Sequence, residues 1–337
     1  MVNALKQLDI CINEAKSYPG LTVVPVYSEK QSDFHVPMLF GEALKNGSLK
    51  IQEQQQSNVP RLSVDYVGEG YALGIKGHLL IGGGQDRQLY HSCLVSKGRY
   101  DIPVQCVQHG RWNPGKNKDF TVCNDITSSG LRFNTQNQGQ TWEKIRTYET
   151  LTNTNSGSES FTCTRTITMG SSVEQNSLLQ QNNVKMNDKM LGVRERAQEM
   201  LSHLKTPKEQ QIGFFAIQID PFTWVKNKEV HLNYLLEIAG NAELWNSLHQ
   251  KAIESVIYDS AVCEMDKNAH IEMNDERKAE IAEFVAMLTV EDWNECDFIG
   301  QESRFALESK KYFGEAIYLD EEDEMPIHLL CSSLKVS

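Results

Sequence analysis

The sequence predicts an α+β fold: an antiparallel, hairpin-rich sheet, curled or in a sandwich, with helices at its periphery. Three observations predict it. Beyond Pro60 the chain alternates apolar and polar residues in short runs, the period of half-buried strands. The connections Gly68-Glu69-Gly70, Gly82-Gly83-Gly84 and Lys97-Gly98 are short enough for hairpins, which parallel strands cannot use. Segments with helical spacing stand before and after this series rather than alternating with its strands.

Residues 3 to 17 read as an amphipathic helix, and Leu21-Thr22-Val23-Val24-Pro25-Val26-Tyr27 as the first strand. A short helix around Met38 to Lys45 stops at Asn46-Gly47 and leads into a strand over 48 to 53. Leu62, Val64 and Tyr66 share a face, Leu89, His91, Cys93 and Val95 share one face of the next long strand, and Val104 and Cys106 share a face of another. Trp142, Ile145 and Tyr148 mark a helix. Residues 152 to 190 are rich in Ser, Thr, Asn and Gln and read as a long polar excursion. Val193, Ala197, Met200, Leu201 and Leu204 restore helical spacing, and Ile212 to Ile219 read as a buried strand. Asn241 caps a helix carrying Trp245, Leu248, Ala252 and Val256, and a further helix runs from about Asn274 to Leu288. Terminal strands at Arg304 to Glu308, Phe313 to Leu319 and Pro326 to Leu330 are interrupted by the acidic turn Asp320 to Glu324. The expected organisation is an N-terminal helix over 1–19, then one elaborated α+β domain over 20–334 with its polar excursion at 152–190.

Composition narrows the function classes. A chain of 337 residues can bury roughly three quarters of its unfolded surface. No apolar run approaches the roughly 20 residues that span a bilayer, and the N-terminus lacks a basic segment followed by an apolar one, so neither membrane insertion nor Sec-type export is expected. The eight cysteines are scattered without C-x-x-C spacing and read as reduced thiols of a cytoplasmic protein. A net charge of −12 opposes adhesion to duplex nucleic acid or anionic lipid, leaving an anionic small ligand to a local basic pocket.

The glycine triplet fits a sharp hairpin bend, and equally a turn whose backbone N–H groups approach a phosphate. Arg87 and Arg111 present planar donor forks that match phosphate or carboxylate oxygens, and Trp112 can stack on a base or pack as core. Glu42, Glu53, Asp65 and Asp86 are the nearby acids able to act as general base or to accept ribose hydroxyls. His78, His91, His109, Cys93 and Cys106 lack the ligand spacing of a metal site. There is no P-loop, no G-x-G-x-x-G opening a helix and no G-x-S-x-G elbow.

Leu39-Phe40-Gly41-Glu42-Ala43-Leu44 with Gly47 and Glu53, then Gly83-Gly84-Gln85-Asp86-Arg87, Ile102 to Trp112 and Gln138-Gly139-Gln140-Thr141-Trp142, resemble the ARG and rhodanese-phosphatase-superfamily-associated protein family over roughly residues 20 to 334. That family's genes accompany ADP-ribosylglycohydrolases and related phosphatases, and the resemblance implies a role around ADP-ribose or NAD-derived nucleotides. Its motif positions fall on Gln85, Arg87, Gly110, Arg111, Trp112, Gln138 and Trp142. The chain departs at Gly84, Asp86 and Gln108, where the family usually has Lys, Asn and Glu, which weakens the case for an acid-base mechanism. The expected ligand-binding set is Gly83, Gly84, Gln85, Asp86, Arg87, Gln108, Arg111 and Trp112, with catalytic residues unassigned and no metal or cofactor. The expected function is recognition, with hydrolytic processing left open, of an ADP-ribose-like nucleotide. The alternative is a protein-interaction module or secreted effector without catalysis, in which the acidic surface and the 152–190 segment contact a protein partner.

Overall fold

The computed structural model describes residues 2–54, 60–110, 119–122, 125–133, 138–170, 184–227, 229–264, 270–309, 311–320 and 323–333. The fold is α+β and its sheets are antiparallel apart from one short parallel pair, Met38–Leu39 with Ala72–Gly74. A nine-stranded sheet runs in the order Leu8–Ile10, Leu21–Ser28, Gly213–Ile219, Leu232–Ala239, His328–Ser332, Phe313–Tyr318, Ser303–Glu308 and Asn294–Cys296, with Lys16–Tyr18 also paired to Leu21–Ser28. Its central strands are predominantly apolar on both faces because both are covered, with a few buried polar residues such as Gln218, Glu237 and Glu315 among them. Leu21, Val23, Phe214, Ala216 and Leu235 face a core closed by the helix Ala242–Val262, while Val24, Val26, Phe215, Ile217 and Leu236 face a second core closed by the helix Asp275–Val290.

The expected curled, hairpin-rich sheet curls to closure in the middle of the chain, as a six-stranded barrel: Gly98–Cys106, Arg61–Tyr66, Leu49–Glu53, Asp119–Val122, Leu79–Gly82 and Arg87–Leu89. Closure removes the exposed strand edges that a meander of short strands would leave. The lumen is filled by Leu49, Ile51, Leu62, Val64, Tyr66, Leu80, Leu89, Ile102, Val104 and Phe120.

Three expectations are corrected by tertiary contacts. The strand expected from Leu89 to Val95 is two strands, Arg87–Leu89 in the barrel and Cys93–Val95 in a separate three-stranded sheet. The break falls where Glu315 captures the chain, bonding the His91 ring at 2.7 Å and the Ser92 N–H at 2.7 Å. The helix expected over 3–17 is α-helical only at Val2–Lys6, with a 3-10 turn at Ile12–Glu14, because Leu8–Ile10 and Lys16–Tyr18 are drawn onto the edge of Leu21–Ser28. The polar stretch 152–190 contains the buried helix Phe161–Met169, capped by the Ser160 side chain. Its threonines are accommodated by donating to backbone carbonyls, Thr164 to Phe161 and Thr166 to Thr162. The strand Leu232–Ala239 at the sheet centre has no counterpart in the sequence reading. The Asn241 cap is as expected, its side chain accepting from the Leu244 N–H at 2.9 Å. Among the described residues no helix is long and apolar enough to cross a membrane.

Charge joins barrel and sheet. Arg132, just after the barrel, donates two bonds of 2.8 and 2.7 Å to Glu237 on the central strand, and its Nε reaches the Lys76 carbonyl at 3.1 Å. The His328 ring meets the same carboxylate at 3.0 Å. Burial alone would raise the Glu237 carboxyl, but the Arg132 charge and hydrogen bonds, with help from His328, bring it down to about 2. Arg132→Ala should therefore cost about 3–5 kcal/mol in urea unfolding, since it strands a buried carboxylate, and the double variant Arg132→Met/Glu237→Leu should lose much less. A single variant within about 1 kcal/mol of wild type would show the pair to be dispensable.

Candidate functional site

The period of two that fills the lumen continues to one end of the barrel and becomes polar there. Glu53 follows Leu49 and Ile51 on the inward face, Arg87 precedes Leu89, and Cys106 follows Ile102 and Val104. Register sets Arg87 directly opposite Cys106 on one neighbour and Leu80 on the other. A barrel mouth so placed is a common position for a ligand site.

The Gly82-Gly83-Gly84 turn forms the lip. Gly82 and Gly83 have φ of +136° and +50°, and a Cβ at either would lie 2.6 Å from Asp119 O or the Phe120 ring. Positions 82 and 83 are thus open only to glycine. Gln85, Asp86 and Gln108 stitch it to the strand end opposite. Gln85 donates to the His109 carbonyl at 3.2 Å, the Asp86 N–H donates to the Gln108 side chain at 3.3 Å, and the Asp86 carboxylate accepts from Gly82 N–H at 3.2 Å and from the Thr162 hydroxyl at 2.7 Å. Gln138, a family-motif position, clamps Cys106 by both backbone groups, at 3.0 and 2.7 Å. Trp142, another, packs its ring 4.2 Å from that of His109.

Arg87 is 0% exposed. Its Nη1 donates to Gln85 O at 3.0 Å and lies 3.4 Å from Asp86 O and from Cys106 Sγ. Among the described residues its Nε and Nη2 have no hydrogen-bond partner. The nearest carboxylate, Glu53, stands 3.9 Å from Nη2, beyond the 2.7–2.9 Å of a charge-assisted bond, and spends Oε1 on the Gly84 N–H at 3.1 Å. Burial raises the Cys106 thiol and Arg87 only partly offsets it, the reverse of what activates a nucleophilic cysteine.

Six expected site residues, Gly83, Gly84, Gln85, Asp86, Arg87 and Gln108, therefore share this mouth, whereas Arg111 and Trp112 lie outside the described residues. Of the four acids considered, Glu53 and Asp86 belong to the cluster, while Glu42 is on an exposed helix face and Asp65 points out of the barrel. The histidines are dispersed: His78 accepts from the Ile75 N–H, His91 pairs with Glu315 and His109 with Glu159. Among the described residues no group of three or more His, Cys, Asp or Glu could hold a metal.

A second buried polar cluster had no sequence signal. Asp259, on the long helix, accepts from the Ser129 and Tyr148 hydroxyls and from the Gly130 N–H at 2.8 Å. Its neighbours on that helix are apolar or small and all buried, so nothing in the pattern marks it. A cavity of about 780 Å³ between residues 30–35, Gly70-Tyr71, Leu319, Asp320 and residues 323–325 shares no residue with the mouth, and its Lys30 is already paired with Glu324 at 3.0 Å.

Burial pushes the Asp259 carboxyl up to about 6 against the pull of Ser129, Tyr148 and Gly130, from an ordinary 3.8. The folded state therefore binds more protons than the unfolded one across that interval, and this group's contribution to stability is lost as pH rises through it. Glu237 and Glu315, both held at about 2 against 4.5, act in the opposite sense and lose theirs as pH falls. Wild-type unfolding free energy should carry a declining contribution between pH 4 and 6 that Asp259→Asn lacks. An unchanged slope would assign that decline to another group.

No curated protein and no solved structure matches the chain. A family model covers residues 9–331, a span that holds the barrel, its mouth and nearly all of the large sheet, and on that match the chain belongs to the family of the ARG and Rhodanese-Phosphatase-superfamily-associated Protein domain.

Proposed function

We propose that this protein recognises an ADP-ribose-like, NAD-derived nucleotide at the barrel mouth. One observation carries the reading: the Nε/Nη2 edge of Arg87, the edge that pairs side-on with two oxygens of a phosphate, is buried and among the described residues has no hydrogen-bond partner. Buried donors left unpaired are costly and rare, so a native fold that keeps two of them at a barrel mouth calls for an acceptor from outside. The family name supplies the nucleotide context.

Roles divide by contact. Gln85, Asp86 and Gln108 shape the lip together with Gly83 and Gly84, whose N–H groups are spent on the Asp119 carbonyl and on Glu53, while Arg87 faces the ligand. Arg111 and Trp112 stay in the proposed set on sequence alone. Binding, rather than bond cleavage, is the function proposed, since the thiol beside Arg87 is held protonated by burial. We place it in the cytoplasm, in keeping with seven free cysteines among the described residues. Because the guanidinium meets no solvent, binding requires the mouth to open.

The test compares wild type with Arg87→Lys, which keeps the charge and loses the fork. Calorimetric titration with ADP-ribose, well below the unfolding temperature of either protein, should show affinity reduced about ten- to a hundredfold in the variant, the worth of one charge-assisted pair. A wild type that binds none of ADP-ribose, NAD or pyrophosphate would overturn the reading and favour a protein-interaction module.

A further inference from the structure

Two uncommitted functions of opposite kind sit side by side at the mouth. Arg87 offers two free donors, and Glu53 offers a free acceptor, because only its Oε1 is used and among the described residues Oε2 has no hydrogen-bond partner. The groups are 3.9 Å apart at their nearest atoms, too far to satisfy each other. Glu53 is the side of the cluster that meets solvent, its side chain 12% exposed where that of Arg87 is 0%. Its carboxylate is also held in place: Gly84 donates to it, and a Cβ on Gly83 would come within 2.8 Å of Oε1.

A bare oxyanion seated on the Arg87 edge would lie beside the Glu53 carboxylate, and like charges at that separation repel. A phosphate whose own molecule brings a hydroxyl alongside meets no such conflict, since the hydroxyl donates to Glu53 while the phosphoryl oxygens accept from Arg87. We infer that Glu53 is the specificity-determining residue of this site, selecting phosphorylated ribose over simple phosphate or pyrophosphate through a hydroxyl-to-carboxylate hydrogen bond. The inference rests on the anion-binding reading of Arg87 given above. It adds which anions are admitted and which are turned away.

The experiment measures dissociation constants of ADP-ribose and of pyrophosphate for wild type, Glu53→Gln, Glu53→Ala and Arg87→Lys, with the unfolding midpoint of each recorded. Removing the charge of Glu53 should tighten pyrophosphate binding, whereas for ADP-ribose the hydroxyl acceptor is weakened to a neutral carbonyl in Glu53→Gln and removed in Glu53→Ala, so the preference for ADP-ribose over pyrophosphate should fall in both variants, at least tenfold in Glu53→Ala. Arg87→Lys should weaken both ligands and leave that preference near its wild-type value. If wild type binds ADP-ribose in an Arg87-dependent manner and folded Glu53 variants keep the wild-type preference, the Glu53 role is overturned while the anion site stands. If wild type binds neither ligand, both are overturned.

Discussion

The carboxylate of Glu237 is the contact on which the arrangement of this protein depends. It lies on the central sheet, fully buried, and receives Arg132 from the end of the barrel segment and His328 from the neighbouring strand. Apolar packing between a barrel and a sheet is non-directional and would tolerate sliding. A bidentate guanidinium–carboxylate pair is not, and the cost of separating it inside the core fixes one orientation. A second joint of the same kind lies nearby, where Glu315 on the sheet accepts from the Ser92 N–H and His91, close to the buried Lys76 ammonium. Desolvation lowers that ammonium to about 8, with Glu315 opposing, and it is stabilised by the Tyr90 carbonyl at 2.5 Å and by the faces of the Tyr90 and Phe313 rings.

These joints decide where the mouth can be. The segment from Lys76 to Ser92 supplies both the barrel strands that carry Arg87 and the anchors on the sheet, so the guanidinium is held from both sides of its own strand pair. On its outward neighbour, Gln88 bonds Gln105 at 2.7 Å and accepts from Thr127 at 2.6 Å, closing the outer face next to the helices. Gln88 and Gln105, facing out, are paired across the barrel wall, whereas Arg87, facing in, is hydrogen-bonded among the described residues only through Nη1.

Much of this was legible in the amino-acid order, and the limit has a physical cause. Alternation over Leu62 to Tyr66 and the glycine turns marked hairpins, and Asn241 marked a helix start, because each depends on neighbours within a few residues. The glycine triplet and Arg87 stood out for the same reason. Closure of the barrel did not, since it is set by Asp119–Val122 pairing with Leu49–Glu53 on one side and Leu79–Gly82 on the other, contacts between segments far apart in the chain. Nor did the break at His91, which Glu315 imposes from 224 residues away. Glu53 could be named as one acid among four, but only closure sets it on the inward face beside Arg87 rather than in water.

What separates a structural arginine from a binding one is the completeness of its hydrogen bonds. Arg132 and Arg165 are as deeply placed as Arg87, and each is matched: Arg132 to Glu237 and the Lys76 carbonyl, Arg165 to Asp125 at 2.9 Å and Glu254 at 2.5 Å. The fold can therefore satisfy a buried guanidinium when architecture is all that is asked of it. At Arg87 it spends one nitrogen on the lip and leaves an edge unmatched, at a cost of roughly 1–3 kcal/mol for each stranded donor. An aliphatic side chain of similar length would fill the same end of the lumen without that cost, so packing alone gives no reason for an arginine there. Local choices that lower stability with no compensating contact concentrate where a site has to remain ready for something else, and the barrel mouth is where this chain makes one.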